Sequence, residues 1–429
     1  MKNKSFYTYS FGCRVNQAEK EVIDREMQNQ GFSLKSTSSD ISIINTCAVT
    51  HKAEREAKQL IYKLKRDNPN GQIVVTGCSA TYWNKNNLLK NLPIDLVVDN
   101  ISKEFLVKIL QKRVSQANSD LGGQNSLGID KYLNSGRVLI KIQDGCQRFC
   151  SYCIVPYLRG TPKSERIKKL ELKIDNYKGK VNEVVLTAIN TEAFGFDTGE
   201  KFIDLINQII KKTKITRISF GSIHPWSINN EFLDYYKKIL PLKRLVNFFH
   251  IPIQSGSNKI LNLMKRGYTR EEMLEKLDKL HKINPFALIA TDVIVGFLDE
   301  SDKDFQDTYN FLEKSPISKF HIFRFSKRSN TAAFYLSKNL KEPSSAVKIK
   351  RAKLLADLGK KKFEVFLKKN VGRISTILFL NTEVDGYREA LLDNQLPIYV
   401  GVTKPIQPGQ LYVTKIIEYN KGRLFGKLL

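Results

Sequence analysis

Short β-branched and aromatic runs alternate with amphipathic stretches along the first quarter of the chain. The runs at 6–10, 41–45, 73–76 and 96–98 have strand length and composition, and helical spacing of apolar positions fills 19–30 and 51–67 between them. Strand and helix alternating at this spacing predict a parallel, doubly wound sheet, since each parallel strand needs a crossover helix. The same rhythm returns at 137–142, 183–187, 217–220, 247–252, 288–295 and 319–325, with helical stretches that include 202–211, 270–283 and 303–313. Six β/α units are too few to close an eight-stranded barrel, so a partial (β/α)6 barrel with a lateral mouth is expected. The period then changes. Short strands at 373–379, 387–391, 397–402, 411–419 and 423–428, punctuated by Gly386, Gly401 and Gly409, predict a small five-stranded all-β barrel. The fold class is therefore α/β with an all-β terminus.

These changes of period divide the chain. An N-terminal domain at 1–115 is followed by a polar, glycine-rich linker at 116–136, QANSDLGGQNSLGIDKYLNSG. A central domain at 137–342, a basic linking helix at 343–370 and the terminal barrel at 371–429 complete the order. Composition adds a partner to this picture. Across 429 residues, 70 Lys and Arg face 43 Asp and Glu, a formal charge of +27. Such a surplus points to a polyanion, and to nucleic acid ahead of a membrane surface because no basic amphipathic anchor is present. The linking helix carries nine Lys or Arg against two acids, and its Lys360, Lys361 and Lys362 are candidate RNA contacts. No run approaches the ~18–20 apolar residues of a membrane span, and MKNKSFYTYS lacks a secretory apolar core. A cytoplasmic protein with no membrane partner is expected, in a compartment that keeps thiols reduced.

The chemistry is carried by cysteine. Cys146, Cys150 and Cys153 form a C-x3-C-x2-C array within QDGCQRFCSYCIVPYLRG, residues 143–160. With 6 cysteines in 429 residues, chance would give this spacing about once per thousand such chains. Three thiolates on one loop can hold three irons of a 4Fe–4S cube and leave the fourth iron open to S-adenosylmethionine. A zinc site would favour four ligands and paired C-x2-C knuckles, and a disulfide framework would favour a short secreted chain. The other three cysteines, Cys13, Cys47 and Cys78, each follow one of the first three predicted strands, where ligands gather in parallel sheets. Each also precedes an expected helix start, whose amide dipoles favour a thiolate. Small buried packing cysteines are the plain alternative; three matched strand ends favour a shared metal site.

The array resembles that of the radical S-adenosylmethionine enzymes. Taken with SFGCRVNQAEKE (10–21), NTCAVTHKAER (45–55), VVTGCSA (74–80), HIPIQSGSNKILNLMKRGYT (250–269), TDVIVGF (291–297) and FSKRSNTAA (325–333), it resembles the methylthiotransferase family over essentially the whole chain. The terminal barrel is similar to that family's TRAM domain. The resemblance implies two 4Fe–4S clusters, one on Cys146, Cys150 and Cys153 and an auxiliary one on Cys13, Cys47 and Cys78. It implies S-adenosylmethionine as both radical source and methyl donor, and an electron donor such as flavodoxin or ferredoxin. It implies removal of hydrogen from carbon 2 of a modified adenine at position 37 of a tRNA anticodon loop, followed by transfer of a methylthio group, by a chain acting as a monomer.

Among the family's branches, GCRVNQ, NTCAVTH and HIFRFSKRSNTAA are most similar to the one that acts on N6-threonylcarbamoyladenosine. SIHP at 222–225 is closer to the isopentenyladenosine branch, and a ribosomal-protein aspartate is a third substrate class. A non-catalytic iron–sulfur RNA-binding protein would share the cysteines, the charge and the barrel. For the cofactor, Tyr152 stands beside the cluster, while Thr187, Asn190, Gln254 and Ser255 follow barrel strands and Asp292 is placed to orient a hydroxyl.

Overall fold

The computed structural model describes residues 4–115, 135–402 and 405–429, so most of the predicted linker, 116–134, lies outside the described residues. Cα packing separates two units. The first comprises Met1–Asp130 with Asp144–Arg148 and Cys153–Thr161, and the second comprises Lys131–Gln143, Phe149–Tyr152 and Pro162–Leu429.

In the first unit, β1 (Ser5–Ser10), β2 (Ser33–Leu34), β3 (Ile41–Thr46), β4 (Gln72–Gly77) and β5 (Leu96–Val98) form one sheet in the order β2-β1-β3-β4-β5, every pair parallel. The two-residue β2 is too short to leave a sequence pattern. Helices α1 (Arg14–Asn29), α2 (His51–Asp67), α3 (Cys78–Lys85) and α4 (Leu106–Ser115) complete the unit. Phe6, Ile43 and Val74 pack with Ile23 and Met27 of α1 and Leu106 and Leu110 of α4. The alternate strand residues Ile44, Ile73 and Val75 pack with Ala57 and Ile61 of α2 and Trp83 of α3. The two clusters lie on opposite faces because successive strand side chains point oppositely, which makes the sheet doubly wound as expected. The order reverses between β1 and β3, the switch point at which such sheets bind ligands.

In the second unit the strands begin with β6 (Arg137–Asp144). After it come α5 (Val155–Arg159), which packs with the first unit, then β7 (Lys163–Ser164), α6 (Ile167–Asp175), β8 (Glu183–Ala188), α7 (Phe202–Lys212), β9 (Arg217–Phe220) and α8 (Asn230–Ile239). The alternation continues with β10 (Phe248–His250), α9 (Asn258–Leu263), α10 (Arg270–Ile283), β11 (Leu288–Val295), α11 (Asp302–Lys314), β12 (Lys319–Arg324) and α12 (Ala332–Leu336). The strands make two sheets, β7-β6-β8-β9 and β10-β11-β12, joined by a parallel bridge between Ile218 and Leu245. All six expected strands are present; the ladder narrows to that bridge between β9 and β10.

A long helix, α13 (Ser345–Lys369), leads to β13 (Ile374–Val384), β14 (Tyr387–Leu392), β15 (Pro397–Val400), β16 (Leu411–Asn420) and β17 (Arg423–Leu428), which close a barrel in the order β13-β14-β15-β17-β16. Its interior, including Phe379, Leu392, Ile398 and Ile416, is continuous with Phe366 of α13 and with Phe248, Leu288 and Ala290 of the central strands. Each such side chain contributes about 1.5–3 kcal/mol by leaving water, so this barrel is welded to the strands rather than tethered to them.

A buried polar joint adds direction to that weld. The Glu183 carboxylate meets Arg137 at 2.9 Å and Arg217 at 3.1 Å, and Arg217 also donates to the Leu391 and Leu392 carbonyls of β14. Burial pushes the Glu183 pKa up, but Arg217, Arg137 and the Ser219 hydroxyl outweigh it and hold the group below the usual carboxylate range. A depressed native pKa stabilises the fold above the unfolded value, near ~4.3, and that contribution is lost as pH falls towards the native one. Glu183→Gln is expected to destabilise the protein by about 3 kcal/mol at pH 7, because Arg217 would stay buried without its counterion. Urea titrations should show the gap between the two proteins closing below about pH 4; a gap independent of pH would remove Glu183's charge from the explanation.

Part of the charge of α13 is committed to the protein itself. Lys348 bonds the Glu342 carboxylate, Arg351 reaches Glu300 at 2.6 Å and Asp302 at 2.8 Å, and Lys369 donates to the Pro285 carbonyl. Lys362 caps α11, donating to the carbonyls of Leu312, Glu313 and Ser315, and burial lowers its pKa to about 8. Lys362, one of the three expected RNA contacts, thus gives its ammonium to the protein's own backbone. Lys350, Lys353, Lys360 and Lys361 remain exposed. No helix among the described residues is long and apolar enough to cross a membrane.

Candidate iron–sulfur sites and their relatives

Each cysteine of the first triad sits at the carboxyl end of a parallel strand because of a local turn. Gly12 and Gly77 precede Cys13 and Cys78 with φ of +83° and +95°, conformations open to glycine. A Cβ at Gly12 would lie 2.4 Å from the Cys47 sulfur, so only glycine lets the β1 turn approach that thiol. Cys13 is the N-cap of α1 and Cys78 is the first residue of α3. Cys47 precedes α2, which begins where expected and is capped by the Thr50 hydroxyl, and backbone N–H groups of Val49 and Cys13 approach the Cys47 thiol.

The three thiols interact. Burial pushes the Cys47 thiol up to about 12, and the neighbouring Cys13 and Cys78 sulfurs push the same way. Cys13 is raised by burial and by Cys78, against the pull of Arg159. Three mutually repelling thiolates are a poor arrangement in an empty low-dielectric pocket and a good one around a cationic group. Among the described residues no three His, Cys, Asp or Glu converge as they would on one metal ion, whereas a four-iron cube spreads its ligands over separate corners.

The second triad follows β6. Residues 145–154 have no regular secondary structure, and Cys146 N–H donates to the Gly160 carbonyl at 3.0 Å. In the second unit, the Phe149–Tyr152 segment is pinned by Ser151, which donates to Met264 and Leu263 carbonyls and accepts from Ala333 N–H. Arg266 places Nη1 3.3 Å from the Cys150 sulfur and 3.3 Å from the Tyr152 hydroxyl, and its guanidinium stacks 4.6 Å from the Trp226 ring. Arg266 thus sets a buried cation and an N–H donor against the Cys150 sulfur.

The remaining sequence-derived residues fall into different surroundings. The Tyr152 ring packs against the cluster of Met264, Phe297, Phe325 and Ala333, in the packing role. Asn190 caps the following turn by accepting from Glu192 N–H and donates its own N–H to the Gln143 side-chain oxygen. Thr187 is buried on β8. Gln254 takes a φ of +81° and bridges the β11 backbone at Asp292 and Ile294. The Ser255 hydroxyl bonds the Thr308 hydroxyl and accepts from Ser257 N–H inside the protein. Asp292 bonds His250 at 3.0 Å, and His250 bonds Ser222 at 2.8 Å, with the His321 ring 5.3 Å away. Sequence reasoning missed Arg159, Arg266, Glu19 and Ser222. Both arginines stand in quoted motifs, PYLRG and MKRGYT, but no spacing rule ties either one to a sulfur.

Residues 140–312 match the model of the radical SAM superfamily, and residues 5–99 match that of uncharacterized protein family UPF0004. The fold and the cysteine loop thus define a radical S-adenosylmethionine enzyme. The chain is 36% identical to the threonylcarbamoyladenosine tRNA methylthiotransferase MtaB of Aquifex aeolicus, over 89% of this chain and 96% of that one. It is 30% identical to the protein of the same name in Bacillus subtilis, over 99% and 96%. It is 31% identical to the tRNA-2-methylthio-N(6)-dimethylallyladenosine synthase of Thermodesulfovibrio yellowstonii over the full length of both. The chain belongs to the radical S-adenosylmethionine methylthiotransferase family. A solved cobalamin-dependent S-adenosylmethionine radical enzyme, OxsB, shares the fold with a TM-score of 0.50 at 13% identity, over 85% of this chain and 56% of that one.

Proposed function

We propose that this enzyme adds a methylthio group to carbon 2 of N6-threonylcarbamoyladenosine at position 37 of tRNA. The observation that carries the reading is the Aquifex relative, which matches at 36% identity over 96% of its own length and bears that substrate in its name. The dimethylallyladenosine reading has support of its own in relatives at 31% identity, so the substrate branch is what the experiment must decide. Cys146, Cys150 and Cys153 would hold a 4Fe–4S cluster that binds and reductively cleaves S-adenosylmethionine, and Cys13, Cys47 and Cys78 a second that carries the sulfur to be transferred.

The residues around these sites have definable tasks. Arg266 fixes Cys150 and Tyr152; Asp292, His250 and Ser222 form a hydrogen-bonded chain that would orient a bound nucleoside or cofactor. Thr187, Asn190 and Gln254 are retained as cofactor contacts on their strand-end placement alone. The terminal barrel acts as a TRAM-like RNA-binding domain beside a partial (β/α)6 barrel, with the N-terminal domain carrying the auxiliary site. A cytoplasmic monomer served by a flavodoxin- or ferredoxin-type donor completes the proposal. The test is mass spectrometry of tRNA nucleosides from a deletion strain. Loss of 2-methylthio-N6-threonylcarbamoyladenosine with the dimethylallyl product intact is expected, and the converse would assign the other branch.

RNA affinity should rest on exposed charge. Each phosphate contact gives a slope of roughly −0.7 to −0.9 in log affinity against log salt. Reversing Lys360 and Lys361 to Glu should flatten the slope measured by filter binding and leave S-adenosylmethionine cleavage intact. An unchanged slope would place the RNA elsewhere.

A further inference from the structure

We propose that Arg159 is a positioning residue shared by the two cysteine sites: it raises the reduction potential of the group held by Cys13, Cys47 and Cys78, and ties that site to the loop carrying Cys146 and Cys153. The inference rests on the iron–sulfur reading of the first triad. All the residues involved belong to the first unit.

The Arg159 side chain is 1% exposed and every nitrogen is engaged. Nε donates to the Cys78 sulfur at 3.2 Å. Nη1 donates to Glu19 at 2.9 Å and to both Asp144 oxygens at 2.9 and 3.0 Å, and Nη2 donates to Asn16 at 2.8 Å. Lys103, also buried, adds a second cation on Glu19 at 2.7 Å. The guanidinium edge on Cys78 faces whatever negative charge the triad accumulates. An N–H···S bond and a nearby cation both favour the reduced, more negative form of an iron–sulfur group, which raises its potential.

Arg159 also stands at the far end of the second cysteine loop, six residues after Cys153, and its partner Asp144 stands two residues before Cys146. The loop is closed at the same place. Cys146 N–H bonds the Gly160 carbonyl, and a Cβ on Gly145 would meet the Thr161 carbonyl at 2.1 Å. One side chain thus touches a ligand of one site and clamps both ends of the loop that makes the other.

The experiment compares wild type with Arg159→Lys, Arg159→Met and the charge-balanced double variant Arg159→Met/Glu19→Gln, all reconstituted anaerobically. Iron content and EPR-monitored redox titrations of each cluster are measured. With iron retained, both Met variants should shift the first-triad reduction equilibrium about tenfold towards the oxidised form, about 59 mV for one electron. Arg159→Lys should recover part of that shift and still alter the EPR signal, since an ammonium cannot reach Cys78, Glu19 and Asp144 together. Unchanged potential and spectrum in the variants would overturn the inference and leave Arg159 as a helix-end brace. Should the Met variants fail to fold, an unchanged potential in Arg159→Lys overturns it equally. Wild-type protein that takes up only about four irons would overturn the iron–sulfur reading of the triad, and this inference with it.

Discussion

Replacing Cys146, Cys150 and Cys153 together with alanine is expected to abolish formation of 5′-deoxyadenosine and to halve the iron bound after anaerobic reconstitution, from about eight to about four per chain. The loop has no regular structure and is anchored by the Cys146 backbone and by the Ser151 backbone and hydroxyl, so losing three thiols leaves its tethers in place. The fold should survive, and iron that remains must sit on the other triad. Arg266 would then face no thiolate at Cys150, and it keeps Tyr268, Tyr152 and the Pro252 carbonyl as partners. Detectable 5′-deoxyadenosine from the triple variant would break the assignment of the radical site.

The complementary triple variant at Cys13, Cys47 and Cys78 is expected to keep cleaving S-adenosylmethionine while losing all methylthiolated nucleoside. Here a stability effect is also expected. Cys47 and Cys78 are 3% and 4% exposed, and Arg159 would lose the sulfur it now faces. Alanine removes one heavy atom per site, so the destabilisation should stay near 1 kcal/mol for each buried position. Measuring both products by mass spectrometry on the same reaction separates the two triads. Full methylthiolation in this variant would reduce the three thiols to packing groups.

The period-two and helical patterns located the long strands and several of the helices, because those elements repeat their apolar positions many times. Elements of two residues, such as β2 and β7, repeat nothing and left no trace. The cysteine array was legible in the same way: Cys146, Cys150 and Cys153 are close in sequence, and a short chain segment must keep them close in space. The matching positions of Cys13, Cys47 and Cys78 after successive parallel strands were legible too, since parallel strands align their carboxyl ends.

What the tertiary structure alone decided is where each charge goes. The run at Lys360 to Lys362 reads as one basic patch, yet Lys362 turns inward to cap α11, a helix some fifty residues earlier in the chain. Ser255 follows a strand as a ligand contact would, yet its hydroxyl is taken up by Thr308. Arg159 and Arg266 are ordinary motif residues until folding carries their guanidinium groups to the sulfurs of Cys78 and Cys150, 81 and 116 positions away. Sequence pattern determined the strands and the places of the six cysteines along the chain. Which cations meet which anions depends on contacts between distant segments, and no local periodicity encodes those.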